Sequence, residues 1–62
     1  MTGYKTIDEA RVEAIKISKE INLTYFIIKC NRTNNFYVDD NSFCRNFEVL
    51  TESYNNGKKV KL

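Results

Sequence analysis

The shortness of the chain restricts its fold more than any other feature, because 62 residues can build only one hydrophobic core. Chains of this length bury only about 60% of the surface that they expose when unfolded, so their stability is marginal. A metal, a disulfide, a ligand or a second subunit commonly adds to it. We therefore expect residues 1–62 to form one small domain, and we consider a homodimer as one way to complete its core.

Residues 7–21 have the pattern of an amphipathic helix. Thr6, followed three residues later by Glu9, forms a capping box that satisfies the free amides of a first helical turn. Apolar residues then recur at three- and four-residue spacing and define one stripe along the helix. The members of this stripe are Ile7, Ala10, Ala14, Ile17 and Ile21. The pattern predicts a helix at about 7–21 whose apolar stripe faces the core.

Two segments after this helix predict a β-hairpin. Residues 23–30 and 36–39 are rich in β-branched and aromatic side chains, and the turn-forming residues 31–35 separate them. Both side-chain sets of the first strand are largely apolar, so one face must pack on the helix and the other is not clearly exposed. The hairpin carries four aromatic residues, more than one helix can cover: Tyr25, Phe26, Phe36 and Tyr37.

The last third of the sequence can be written in two ways. As a β-hairpin, it would turn at Asn56-Gly57 through a two-residue loop. As a helix, it has apolar residues at intervals of four, three and four, and Gly57 is the residue expected just after a helix end. These apolar residues are Phe43, Phe47, Leu50 and Tyr54.

We favour the helix in this region because of the residues that a strand would place together. A strand would mix the apolar side chains of Leu50 and Tyr54 with the carboxylates of Glu48 and Glu52 on one face. A helix separates them. The choice leaves the β-hairpin open as an alternative for residues 46–62.

The predicted fold class is α+β. A small antiparallel sheet, made of the β-hairpin and a short C-terminal strand at about 59–62, packs against the N-terminal helix and against a second helix at about 46–56. The lysines near the C-terminus would protect the edge strand from unwanted pairing.

The sequence offers no set of catalytic or metal-binding residues. It contains no histidine, so the usual general base and the commonest zinc ligand are missing. Cys30 and Cys44 lack the C-x-x-C spacing of a zinc site and are expected to be reduced, buried thiols. Residues 39–42 are rich in oxygen ligands but do not continue as a calcium-binding loop. We expect no enzyme activity, no catalytic residue, no metal and no cofactor.

Charge and hydropathy give little information about partners. The formal net charge of +2 is too small to indicate a nucleic-acid-binding protein by itself. The longest apolar run, residues 25–28, is too short to span a bilayer, and the N-terminal residues do not have the pattern of a signal peptide. We expect a cytoplasmic protein that does not bind membranes.

Six residues are predicted to contact a partner protein. Four lie on the helix outside its apolar stripe, where apolar side chains flanked by lysines could form an interface, although scattered surface hydrophobes have the same pattern. Two belong to the aromatic surplus of the hairpin, which core packing would also explain. The six are Val12, Ile15, Lys16, Lys19, Tyr25 and Tyr37.

A nucleic-acid-binding module is the alternative function. The aromatic residues of the sheet could stack on bases, and a group of basic residues could contact phosphates if the fold brings them together. Short lysine runs are also common at solvated chain ends. The basic group consists of Arg32, Arg45, Lys58, Lys59 and Lys61.

The sequence as a whole resembles a class of small viral proteins. A YKTIDEARVEAIKISKE helix, a YFIIK…FYVDD hairpin and the segment SFCRNFEVLTESYNNGKKV follow one another as in the short orphan proteins of tailed-bacteriophage early regions. This resemblance covers most of the chain and implies a non-enzymatic α+β protein. It further implies stoichiometric binding to a host protein, such as a defence nuclease or a transcription factor, in the host cytoplasm. It transfers no site residue.

Overall fold

A computed structural model describes residues 3–60 and has one helix packed against a five-stranded antiparallel sheet. This confirms the predicted α+β class. The strands lie in the order β1-β3-β2-β4-β5, so the first and last strands form the two edges. Along the chain the elements are β1 (Gly3–Tyr4), α1 (Ile7–Ile21), β2 (Thr24–Cys30), β3 (Phe36–Asp39), β4 (Glu48–Asn55) and β5 (Lys58–Val60).

Helix α1 begins and ends with the signals that its sequence carries. The backbone amide of Glu9 donates to the Thr6 hydroxyl at 3.3 Å, and the Glu9 carboxylate accepts the Thr6 amide at 3.3 Å. This is the predicted capping box. At the other end, Asn22 takes a left-handed conformation with φ 61° and donates its amide to the carbonyl of Ser18. Asparagine tolerates this conformation better than most residues, so the helix stops there.

Small residues form the centre of the face that α1 packs on the sheet. Ala10, Ala14 and Ser18 are fully buried, and the two alanines contact the buried side chain of Ile27 from β2. The Ser18 hydroxyl also accepts the backbone amide of Gly57 at 3.0 Å, which joins the end of the helix to the turn after β4. The predicted stripe therefore runs through Ser18, whereas Ile21, its predicted last member, remains 49% exposed.

The predicted second helix at about 46–56 is wrong, because residues 48–55 form strand β4. This strand pairs with β2 along its whole length and turns into β5 at Asn56-Gly57, where both residues have positive φ. The hairpin alternative is the one that the fold adopts. The short C-terminal strand exists as β5 at 58–60, and the predicted residues 61 and 62 lie outside the described part of the chain. Strand β1 was not predicted.

A β-bulge explains why the residue pattern of β4 is misleading. Ile27 pairs with Glu52 while the next residue, Ile28, pairs with Leu50, so Thr51 is an extra residue in β4. Its hydroxyl donates to the carbonyl of Ile27 at 2.8 Å. Because of the bulge, Leu50 lies with Glu48 on one face of the sheet and Tyr54 lies with Glu52 on the other, so the four side chains do not share the single face that argued against a strand.

The acidic residue on the helix side of β4 is stabilised by hydrogen bonds. The Arg11 guanidinium donates from Nε and Nη2 to the two carboxylate oxygens of Glu52, at 2.9 and 2.8 Å. The Tyr54 hydroxyl and the Lys59 ammonium approach the same carboxylate, at 3.0 and 3.3 Å. Hydrogen bonding to Arg11, against the effect of burial, lowers the pKa of Glu52 to about 2.

Candidate functional site

The sheet face opposite α1 carries a cavity of about 340 Å³. Its base is formed by residues of the three central strands, and its wall is formed by the segment that connects β3 to β4. It is the best candidate for a binding site in residues 3–60, because concave sites with apolar walls and a few polar groups are typical of ligand and partner binding. The residues that line it are Ile28, Cys30, Tyr37, Asp39, Phe43, Arg45, Phe47 and Glu48.

Strand pairing brings the base of the cavity together. Ile28 pairs with Tyr37 across β2 and β3, and Cys30 pairs with Glu48 across β2 and β4. Directly paired residues of an antiparallel sheet point to the same face. Ile28 and Cys30 therefore lie on the side opposite Ile27, which faces the helix.

Hydrogen bonds hold the connecting segment, residues 40–47, over this face. The Asn41 side-chain oxygen accepts the amide of Phe43 at 2.9 Å, and the Glu48 carboxylate accepts the amide of Arg45 at 2.9 Å. At the end of the segment, the carbonyl of Phe47 accepts the amide of Asn31 at 2.7 Å. Two of these hydrogen bonds shape the wall of the cavity, and the third ties the end of the segment to the residue that follows β2.

Three aromatic rings surround the cavity. Tyr37 and Phe47 are half-buried, whereas Phe43 is 70% exposed. The Arg32 guanidinium lies 4.0 Å from the centre of the Phe47 ring, within the range of a cation–π interaction. One ring of the cavity wall therefore already binds a cation, and one ring projects into solvent.

The charged groups lie at opposite ends of the cavity. Asp39 pairs with Phe26 and Glu48 pairs with Cys30, which is four residues further along β2, or about 13 Å at the usual rise of a strand. Arg45 lies with Glu48, to which it is bound through its backbone amide. The two carboxylates, Asp39 and Glu48, therefore lie at opposite ends of the cavity, and Arg45 is bound through its backbone at the Glu48 end.

Cys30 adds a buried thiol to the base of the cavity. A hydrogen bond from the Thr33 side chain, together with the backbone amides of Thr33 and Arg32, lowers the pKa of the Cys30 thiol, while burial opposes this. Cys44 is half-buried in the connecting segment, and both cysteines are free thiols. No three cysteine, aspartate or glutamate side chains among residues 3–60 come together as a metal site would require.

The predicted partner-binding residues do not form one surface. Val12 is 68% exposed and Ile15 is 39% exposed, on the side of α1 that also carries Lys16 and Lys19. The two tyrosines lie on opposite faces of the sheet. Tyr25 pairs with Tyr54 on the side of the helix, and Tyr37 lies in the cavity.

The basic residues of the nucleic-acid alternative are also divided. Lys58 and Lys59 follow one another in β5, so their side chains point to opposite faces, and Lys59 pairs with Glu52 on the helix side. Arg32 and Arg45 lie near the cavity instead. Lys61 is outside the described residues.

Sequence reasoning missed most of the cavity, although it noted several of its residues. The sequence places Asp39 at the start of an oxygen-rich segment, and it places Phe43 and Phe47 at a helical spacing. The signal that could have identified them is the oxygen-rich segment between two strands, since Asn and Asp side chains stabilise turns that fold back on a sheet.

Helix α1, the helix of the described region, has neither the length nor the hydropathy to span a membrane. Comparison of the chain with protein-family models, with curated proteins and with solved structures finds no match.

Proposed function

We propose that this chain is a non-enzymatic binding protein that inhibits or redirects a partner protein by occupying its surface in a stoichiometric complex. The partner would bind on the cavity face, with Phe43, Tyr37 and Phe47 as the apolar anchors. Aromatic residues at the centre of an interface contribute most of the binding energy in many complexes.

The observation that supports this proposal best is the exposure of Phe43. Its ring is 70% exposed beside an aromatic cavity, although the sheet face next to it has room for apolar contacts. Burying a phenylalanine side chain is worth about 1.5–3 kcal/mol. A partner that covers Phe43 would gain this free energy.

The size of the cavity favours a protein partner over a small-molecule cofactor. Its volume of about 340 Å³ is at the lower end of the range for ligand pockets, which is roughly 300–1,000 Å³. A single large side chain fits this volume better than a nucleotide or a flavin would. The resemblance to phage early-region proteins suggests that the partner is a host protein of the bacterial cytoplasm.

A second candidate function is nucleic-acid binding through the same face. Arg32 and Arg45 flank the aromatic rings, and this combination could contact a phosphate while a base stacks on Phe43. Such binding would weaken steeply as the salt concentration rises, whereas binding through apolar anchors would not.

The proposal predicts that Phe43→Ser reduces partner capture and that Val12→Ser does not. The two side chains are exposed to nearly the same extent, 70% and 68%, but lie on opposite sides of the molecule. The tagged protein and both variants are used to capture partners from nuclease-treated bacterial lysate at moderately high salt. Mass spectrometry then quantifies each captured protein.

Each outcome of this experiment has a clear meaning. Capture that depends on Phe43 alone supports the cavity face, whereas capture that depends on Val12 alone would move the interface to α1. Recovery only from untreated lysate at low salt would favour nucleic acid. Size-exclusion chromatography of the same samples tests whether the protein forms a homodimer and whether either substitution disrupts it.

A further inference from the structure

The charged residues of the cavity indicate which kind of partner side chain would bind in it. We propose that the cavity binds a lysine or arginine side chain of the partner, with the cationic group at Asp39 and the aliphatic stem against Tyr37 and Phe43. This inference rests on the proposed function, since it specifies the chemistry of the same site.

The carboxylates of the cavity have no ion-pair partner in the described part of the chain. Ion pairs between residues 3 and 60 are formed by Arg11 with Asp8 and Glu52, and by Lys59 with Glu52. Asp39 and Glu48 are half-buried and belong to none of them. A carboxylate that is partly removed from water gains more from an approaching cation than a fully exposed one does.

The two ends of the cavity differ in how far their charge is compensated. The Glu48 carboxylate accepts the backbone amide of Arg45 at 2.9 Å. Among residues 3–60, the Asp39 carboxylate accepts only the amide of Asn41, at a longer distance of 3.3 Å. The charge of Asp39 is therefore the less compensated of the two, and a cation would be attracted to it, even though the whole chain has a net charge of +2.

The apolar walls suit the rest of such a side chain. Tyr37 lies on the same strand face as Asp39, two residues away, and Ile28 pairs with Tyr37. Lysine and arginine cover apolar surface with their methylene groups while their charged ends remain at a polar group. The rings add cation–π attraction, which Arg32 already makes with Phe47 at 4.0 Å from the ring centre.

The test compares two probes that differ only in the terminal ammonium group of the side chain. N-acetyl-lysine-methylamide and N-acetyl-norleucine-methylamide are titrated into the ¹⁵N-labelled protein, and amide shifts are followed by NMR. We expect the lysine probe to shift the amides of Tyr37, Asp39 and Phe43, with an affinity about fivefold higher than that of the norleucine probe. The Asp39→Asn variant should lose this difference.

A matched variant controls for nonspecific attraction. Asp8→Asn removes the same charge from an exposed site on α1, where the side chain is 85% accessible, and should keep the preference for lysine. Equal affinity for both probes would overturn the inference but leave the proposed binding face intact. A lysine probe that causes no cavity shifts, or a preference that survives Asp39→Asn, would also overturn it. The proposed function fails separately, if Phe43→Ser leaves partner capture unchanged.

Discussion

At the scale of single residues, the contact between Arg11 and Glu52 is the main polar link between the helix and the sheet. Its two hydrogen bonds, at 2.9 and 2.8 Å, join residues that are 41 positions apart in the sequence. The carboxylate is nearly buried, so removal of its charge would leave the Arg11 guanidinium with only its exposed partner Asp8 among the described residues. No pattern in the sequence reveals this pair, because Arg11 lies at the border of the apolar stripe and resembles a surface residue.

We expect Glu52→Gln to lower the free energy of unfolding by on the order of 2 kcal/mol, because it weakens hydrogen bonds to a charged group. The pKa of Glu52 is about 2 in the folded protein, and its ordinary value is 4.5. The charged carboxylate therefore stabilises the fold fully at pH values above 4.5. This stability is lost as the pH falls from about 4.5 toward 2. Urea unfolding as a function of pH measures both effects. Between pH 4.5 and pH 2, the Glu52→Gln variant should lose less stability than the wild type. The control Glu20→Gln, on the exposed side of α1, should match the wild type.

At the scale of elements, local signals predicted α1 and the hairpin well and failed at β4. The capping box and the apolar stripe specify the helix through residues that are close in sequence. The bulge at Thr51 and the pairing of Glu52 depend on contacts with β2 and α1, which are distant in sequence. The apolar residues of β4 have a helical spacing, but contacts with distant residues make this segment a strand, so the spacing was misleading.

The turn between β4 and β5 carries the sequence signal that distinguishes a β-hairpin from a helix in residues 46–62. Asn56 and Gly57 have φ values of 52° and 80°, as a tight two-residue hairpin turn requires. We expect Gly57→Ala to cost about 1–2 kcal/mol, measured by thermal or urea unfolding. An added methyl group would meet no atom closer than 3.4 Å, so the cost arises from the backbone conformation.

Gly57→Asn provides the control for this prediction. Asparagine adopts the left-handed conformation more readily than alanine, so it should cost clearly less, although its side chain is larger. Equal destabilisation by both substitutions would mean that steric contact with Lys19, and not the backbone, limits this position.

At the scale of the whole molecule, β2 is the centre of the fold. It pairs with β3 on one side and with β4 on the other, and it supplies buried residues to both faces of the sheet. The packing of the helix on one face of the sheet could be predicted from the apolar stripe of α1. The cavity side could not, because its wall is a segment without secondary structure whose path depends on individual turn hydrogen bonds.

We expect the slowest amide hydrogen exchange at the centre of β2. Ile27 and Ile28 should be protected longest, because their exposure requires the sheet to open on both sides. Amides of β5, whose three residues are all exposed, should exchange much faster. Exchange followed by NMR measures this order, and slower exchange in α1 than in β2 would contradict it.

The strand order also determines how the molecule would respond to a mechanical load. Strands β1 and β5, at opposite edges of the sheet, have two and three residues within the described part of the chain. Force applied through them would pull each edge strand away from its neighbour and break the hydrogen bonds one after another. The protein should therefore yield at low force by peeling from both sides, while β2, β3 and β4 stay together until the edges are lost.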